Sequence, residues 1–93
     1  MNYFEEIVSS LTFNDMKVLG YLSDNEADAK FKAIKRESLR TSLEMQLAEF
    51  RKSICRLEVT RLVVVDTDQK EHRIYLTSLG RKALFSSLSE EVL

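Results

Sequence analysis

Residues 62–77 read Leu62-Val63-Val64-Val65-Asp66-Thr67-Asp68-Gln69-Lys70-Glu71-His72-Arg73-Ile74-Tyr75-Leu76-Thr77. The β-branched run at 63–65 is short and ends in turn-forming residues, so it reads as a strand entering a turn. His72 to Thr77 returns as a second strand with Ile74 and Leu76 on one face. Beyond it, Thr77 or Ser78 caps a last helix running toward Val92. On that helix Leu79, Ala83, Leu84, Phe85, Leu88 and Val92 cover more than one narrow stripe.

Upstream of the hairpin the period is helical. Leu47, Phe50, Ile54 and Leu57 recur at helix spacing and point inward on a helix over 46–58. Before the break at Glu44-Met45-Gln46, Arg36 to Leu43 forms a shorter helix with Leu39 and Leu43 on one face. Phe31 and Ile34 form a short strand leading into it, and the acidic stretch Asp24 to Asp28 is a loop. Thr12-Phe13-Asn14-Asp15 is a capping signal in which the carboxylate reaches back to a free amide. It opens a helix with Phe13, Met16, Leu19 and Leu22 as its stripe. Tyr3, Phe4, Ile7, Val8 and Leu11 mark the first helix. The fold class is α+β and mainly α: helix, helix, short strand, helix, helix, strand, strand, helix.

With 93 residues and no Pro/Gly/Ser linker, repeat or low-complexity tract, the chain is expected to be a single domain over 1–93. Its parts are an N-terminal helix over 1–11, a core over 12–77 and a C-terminal helix over 78–93. The longest apolar run, Leu62 to Val65, is far short of the roughly 20 residues of a membrane span. Met1 to Glu6 lacks the basic start of a secretory signal. The single Cys55 makes neither an internal disulfide nor a cysteine-rich zinc site. A cytosolic, cytoplasmic location is expected, with no membrane association.

Fourteen bases against fifteen acids give a net charge of −1, but the charges are segregated. Up to Ala29, Lys17 stands alone against Glu5, Glu6, Asp15, Asp24, Glu26 and Asp28. From Lys30 to Arg61, nine bases face four acids. A basic centre within a neutral chain implies an anionic partner held against one face, or else a solvated charged surface.

Two stretches resemble the winged helix-turn-helix superfamily of DNA-binding proteins. Ile34-Lys35-Arg36-Glu37-Ser38-Leu39, followed by Leu43, is similar to the first helix of its helix-turn-helix. Leu57-Glu58-Val59-Thr60-Arg61-Leu62-Val63 is similar to the end of the recognition helix entering the wing, although members usually carry Gly where this chain has Arg61. Arg73-Ile74-Tyr75-Leu76-Thr77-Ser78-Leu79-Gly80-Arg81 resembles the wing's return strand, the Leu-Thr cap and the Gly-Arg of the next helix in MarR-like regulators. Thr12 to Leu22 resembles the helix before the motif. The resemblance runs from about Leu11 to Leu84. It implies a winged helix with a two-stranded wing and extra terminal helices, and a partner in double-stranded DNA.

On the helix over 46–58 the arc opposite the inward stripe carries Met45, Ala48, Glu49, Lys52 and Arg56, flanked by Gln46, Ser53 and Cys55. A helix in the major groove reads bases with Arg, Lys and Gln donors. Gln46, Lys52 and Arg56 are therefore base-edge candidates, and Arg51 a phosphate contact. Glu49 either accepts from a cytosine amino group or orients Arg56 or Lys52. Lys35, Arg36 and Arg40 lie at or near a helix start, suited to phosphate. On the wing, Lys70, His72 and Arg73 offer contacts to phosphate or a minor groove, or form a plain solvated turn. His72 has no second His to complete a metal site, and no cofactor or metal is expected. Cys55 next to Arg51 and Arg56 suggests a redox sensor or simply a small, partly buried side chain.

No Gly-rich phosphate loop, nucleophile set or paired carboxylates point to catalysis, so an enzyme is not expected. Surplus apolar side chains on the first helix (Tyr3, Phe4, Ile7, Val8, Leu11) and the last (Leu84, Phe85, Leu88, Val92) suggest a homodimer whose recognition helices lie about 34–36 Å apart. The alternative is that these helices cover their own core. The expected function is that of a small dimeric transcriptional regulator of prokaryotic, phage or plasmid origin. Two other readings remain open. One is a centromere- or origin-binding adaptor of a plasmid or phage partition system. The other is a protein-interaction module without DNA binding, for which the acidic N-terminal segment would be a docking surface.

Overall fold

The computed structural model describes residues 3–68 and 70–92, with side chains as far as Leu88. In chain order it contains α1 (Tyr3–Ser10), α2 (Phe13–Asp24), a 3-10 turn (Lys30–Lys32), β1 (Ile34–Lys35), α3 (Arg36–Leu43), α4 (Leu47–Val59), β2 (Val63–Asp66), β3 (Arg73–Leu76) and α5 (Ser78–Val92). The order is that expected from the sequence, with a mainly helical body and a small sheet.

The hairpin is wider than two strands. β1 pairs antiparallel with β3, placing Ile34 opposite Ile74, so the sheet order is β1-β3-β2. On the other side β3 pairs with β2, with Val63 opposite Leu76 and Val65 opposite Ile74. Val63, Ile74 and Leu76 are buried against the helices. The amide of Leu76 also donates to the carbonyl of Ala27 at 2.6 Å, tying the acidic loop to the sheet. Phe31 does not belong to β1; it lies in the 3-10 turn and is 85% exposed.

The core gathers Val18, Leu19 and Leu22 of α2, Leu39 of α3, Phe50, Ile54 and Leu57 of α4, the sheet residues, and Ala83 and Leu84 of α5. Three sequence-based placements are corrected. Leu47 is 47% exposed, because it starts α4 at the rim. Met45, expected on the outer arc, is buried at 6%, because the turn after α3 folds it under before α4 begins. Phe13 is 79% exposed at the first position of α2.

The terminal helices largely cover their own core. Ile7, Val8 and Leu84 are buried within the chain, and Phe4 and Leu11 pack against that core. They are thereby removed from the surface assigned to a dimer, whereas Tyr3, Phe85 and Leu88 remain exposed. The side chain of Val92 lies outside the described residues.

Two backbone positions fix how the sheet joins the helices. Arg61, between α4 and β2, adopts φ 65°, the left-handed region that Gly occupies without steric conflict. The resemblance to proteins with Gly here thus has a conformational basis. Gly80, in the first turn of α5, lies so close to β2 that a Cβ would stand 2.1 Å from the Leu62 carbonyl oxygen. The same carbonyl accepts from the Thr77 amide at 3.1 Å and the Thr77 hydroxyl at 3.0 Å. Thr77 Oγ1 in turn accepts from the Gly80 amide at 2.9 Å, capping α5.

These two positions should respond in opposite directions. Arg61→Gly is expected to raise stability by about 1 kcal/mol, by relieving the left-handed conformation. Gly80→Ala is expected to lower it by about 2–3 kcal/mol, by forcing α5 off β2. Urea unfolding followed by circular dichroism reads both.

Candidate nucleic-acid interface

The helix-turn-helix is built by α3, the turn over 44–46, and α4. Leu39 anchors α3 in the core, and Glu44 closes the helix in the left-handed conformation at φ 55°. Arg40 buttresses the turn: one guanidinium nitrogen donates to the Met45 carbonyl at 3.3 Å and another pairs with Glu37. Arg40 is thus engaged within the motif. Gln46 is the N-cap residue of α4 but caps no amide with its side chain, and it is exposed.

The N-terminus of α3 lies beside the wing. The Arg36 amide donates to the His72 carbonyl at 2.8 Å, and Lys35 Nζ lies 3.0 Å from a Glu71 carboxylate oxygen. The Arg36 guanidinium sits 5.5 Å from the centre of the Phe50 ring. Lys35, Arg36, Lys70 and His72 line one shallow cleft with Glu37 and Glu71. Lys35 at the α3 N-cap uses no side-chain cap, which leaves helix-end amides on the same surface. At the other edge of the wing, Lys30 pairs with Asp68 at 2.8 Å, partly neutralising the wing's acids. Arg73 is half-buried in β3 opposite Asp66.

The outer surface of α4 is divided. Ala48, Arg51, Lys52, Cys55, Glu58 and Val59 are exposed. Glu49, Ser53 and Arg56, at helical spacing on one flank, face the first turn of α2. Asn14 donates to a Glu49 carboxylate oxygen at 2.8 Å. Ser53 is fully buried and its hydroxyl donates to Asp15. Arg56 donates to the same carboxylate through Nη2 at 2.8 Å and Nε at 3.3 Å, and reaches Thr12 Oγ1 at 3.3 Å.

Asp15 is therefore more than the helix cap expected from Thr-x-x-Asp. The capping box is present, with the Asp15 amide donating to Thr12 Oγ1 at 3.1 Å and the Thr12 amide donating to the Asp15 carboxylate at 3.1 Å. Yet the Asp15 side chain is only 2% exposed and also collects Ser53 and Arg56 from α4. Burial pushes its carboxyl pKa up. The hydrogen bonds from Arg56, Ser53 and the Thr12 amide outweigh that and hold it below the usual carboxylate value. Arg56 is shifted upward by the same pairing. Sequence spacing revealed the cap; nothing in it showed that α4 would lie across that turn.

Toward its C-terminal half, α4 borders an apolar recess of about 440 Å³ shared with Ile7 and Leu11, into which Cys55 and Val59 open. A second groove, between α2 and α5, is lined by Phe13, Met16, Phe85 and Leu88. Cys55 itself is exposed and takes part in no disulfide. Among the described residues no helix is long and apolar enough to cross a membrane.

A helix-turn-helix followed by an antiparallel wing is the architecture of the winged helix-turn-helix superfamily, and Lys35, Arg36, Lys70 and His72 lie together where the two meet. Over 83 residues the chain is 45% identical to the DNA-binding protein TubR of Priestia megaterium, covering 89% of this chain and 82% of that protein. The chain belongs to the TubR family. The solved structure of TubR from Bacillus megaterium pBM400 superimposes with a TM-score of 0.88 at 42% identity, covering 95% of this chain and 98% of that one. The MepR–DNA complex of S. aureus shares the fold, with a TM-score of 0.70 at 20% identity over 95% of this chain and 70% of MepR. No family model matches the chain.

Because the folded Asp15 carboxyl lies below its unfolded value, it adds stability above the ordinary carboxylate range, about pH 4. That stability is lost as the pH falls from there through the lowered pKa. Asp15→Asn is expected to cost about 1–3 kcal/mol at neutral pH. The gap between parent and variant should close as melts are repeated toward pH 3, and a gap that stays constant with pH would contradict the assignment.

Proposed function

We propose that the chain is a sequence-specific double-stranded DNA-binding protein acting as a homodimer. The observation that carries this reading is its 45% identity with the DNA-binding protein TubR along nearly the whole chain. The basic junction of α3 and the wing supports it. Lys35, Arg36, Lys70 and His72 form its backbone-positioning set, giving affinity and salt dependence without sequence information. Sequence is read by the exposed side chains Gln46 and Lys52 at the start of α4, with Arg51 on phosphate at the flank and Arg73 contributing from the wing.

A reader of this kind either occupies one operator to regulate transcription or coats repeated sites as the adaptor of a plasmid or phage partition system. Kinship with the DNA-binding protein TubR is compatible with either role. It also weighs against an interaction module without DNA. Some acids of the N-terminal segment already have partners within the chain. Asp15 is buried, and Asp28 pairs with Arg81 at 2.8 Å.

The dimer draws on apolar surface left outside the core. Val59 at the α1–α4 recess is 72% exposed, and Phe85 at the α2–α5 groove is 52% exposed. A second copy covers one of these, and Val59→Glu and Phe85→Glu distinguish them by sedimentation, since only the variant at the covered surface dissociates the pair. A parent chain that sediments as a monomer at tens of micromolar would remove the dimer.

Selection from random duplex DNA across a salt series tests the function. Tandem copies of a short element among the retained sequences would favour the partition adaptor, and a single enriched palindrome the operator reader. Lys35→Ala and Arg36→Ala should weaken all duplexes alike and each reduce the salt slope by about 1. No retention at about 50 mM salt, where phosphate contacts are strong, would overturn DNA binding.

A further inference from the structure

We infer that Arg56 and Asp15 are positioning residues that set α4 on the first turn of α2, and that Arg56 contacts neither base nor phosphate. This deepens the DNA-binding reading and rests on it. By its place on a helical wheel, Arg56 is a natural base reader: it is a long donor on the exposed side of the recognition helix. The structure gives it another partner. Its guanidinium fork lies along the Asp15 carboxylate, 2.8 Å from Oδ1 and 3.3 Å from Oδ2, with Thr12 Oγ1 a further 3.3 Å contact.

The two partners differ in exposure, and the difference decides which way the pair acts. The Arg56 side chain is 45% exposed, whereas that of Asp15 is 2% exposed. Arg56 is thus the cover over a buried carboxylate. Swinging it into a DNA groove would leave that charge with only the Ser53 hydroxyl and the Thr12 amide. Two turns before Arg56 on the same flank of α4, Glu49 is held by Asn14. Three polar side chains of α4, Glu49, Ser53 and Arg56, are therefore fastened to Thr12, Asn14 and Asp15 of α2. This latch runs along the flank of the helix whose first turns carry Gln46, Arg51 and Lys52. Changing the latch alters the angle at which those residues meet DNA without removing a contact.

The test compares the full-length parent with Arg56→Ala, Arg56→Lys and the double variant Asp15→Asn/Arg56→Ala. Circular dichroism first sets a temperature at which every variant is folded. Retention of a random duplex pool and of the parent's selected site is then measured over a salt series. Arg56→Ala is expected to weaken every duplex by a common factor of about tenfold, with the salt slope and the enriched sequence unchanged. Arg56→Lys, which keeps a cation beside Asp15, should recover part of the loss, and the double variant should bind no worse than Arg56→Ala.

Three results would overturn the inference, each in its own way. A changed base preference at one position would make Arg56 a reader. A salt slope shallower by about 1 would make it a phosphate contact. Undiminished affinity in a folded Arg56→Ala chain would leave the pair a role in stability alone. A parent chain that retains no duplex overturns this inference together with the DNA-binding reading, and is recognised before any variant is compared.

Discussion

The buried carboxylate of Asp15 is the constraint on which the arrangement of the DNA-binding half depends. A charge at 2% exposure must be matched by donors on every side, and here they come from two helices. The Thr12 amide closes the start of α2, while Ser53 and Arg56 arrive from α4. One residue thus caps the start of one helix and orients another. Removing one partner of a buried pair costs about 3–5 kcal/mol, and water at the half-exposed guanidinium softens that figure. A bidentate contact to a base returns about 1–3 kcal/mol. Since the carboxylate itself stays buried in either case, the balance keeps Arg56 on Asp15.

With Glu49, Ser53 and Arg56 turned to α2, the chain's basic character is expressed elsewhere. It collects where α3 begins, where α4 begins and along the wing, brought together by the Arg36 amide bond to the His72 carbonyl and the Lys35–Glu71 pair. The C-terminal half of α4 presents Cys55 and Val59 to an apolar recess instead. Cys55 and Val59 offer a polyanion little, whereas another apolar surface would gain from covering them. The recognition helix thus exposes its bases Arg51 and Lys52 in its first half and commits Arg56 to Asp15 in its second.

Much of this was legible in the residues. The change of period at Leu62, the Thr-x-x-Asp cap and the Leu-Thr-Ser-Leu-Gly run placed the helices and the hairpin in their order, because each depends on neighbours within a few positions. Arg61 carried information of the same kind, through a left-handed backbone, whereas Gly80 matters through its close approach to the distant Leu62. What the sequence did not disclose depends on distant pairs. Arg56 and Asp15 are 41 positions apart, and a helical wheel counts Arg56 as outward because it does not know which helix lies on that flank. The same applies to Met45, drawn inward by a turn whose path no periodicity describes, and to Ile7, Val8 and Leu84, surplus on their own helices yet needed by the shared core.

Nuclear magnetic resonance of the arginine Nε–Hε groups, recorded while duplex DNA is added to the full chain, observes the central claim most directly. Arg36 and Arg51 lie on the proposed DNA-facing surface, whereas the Arg56 Nε–H is hydrogen-bonded to Asp15. Resonances of Arg36 and Arg51 that shift on binding while that of Arg56 keeps its free-state position are the expected result. An Arg56 signal that moves as far as theirs would mean that the guanidinium leaves Asp15 for DNA, and would contradict the structure's division of the recognition helix.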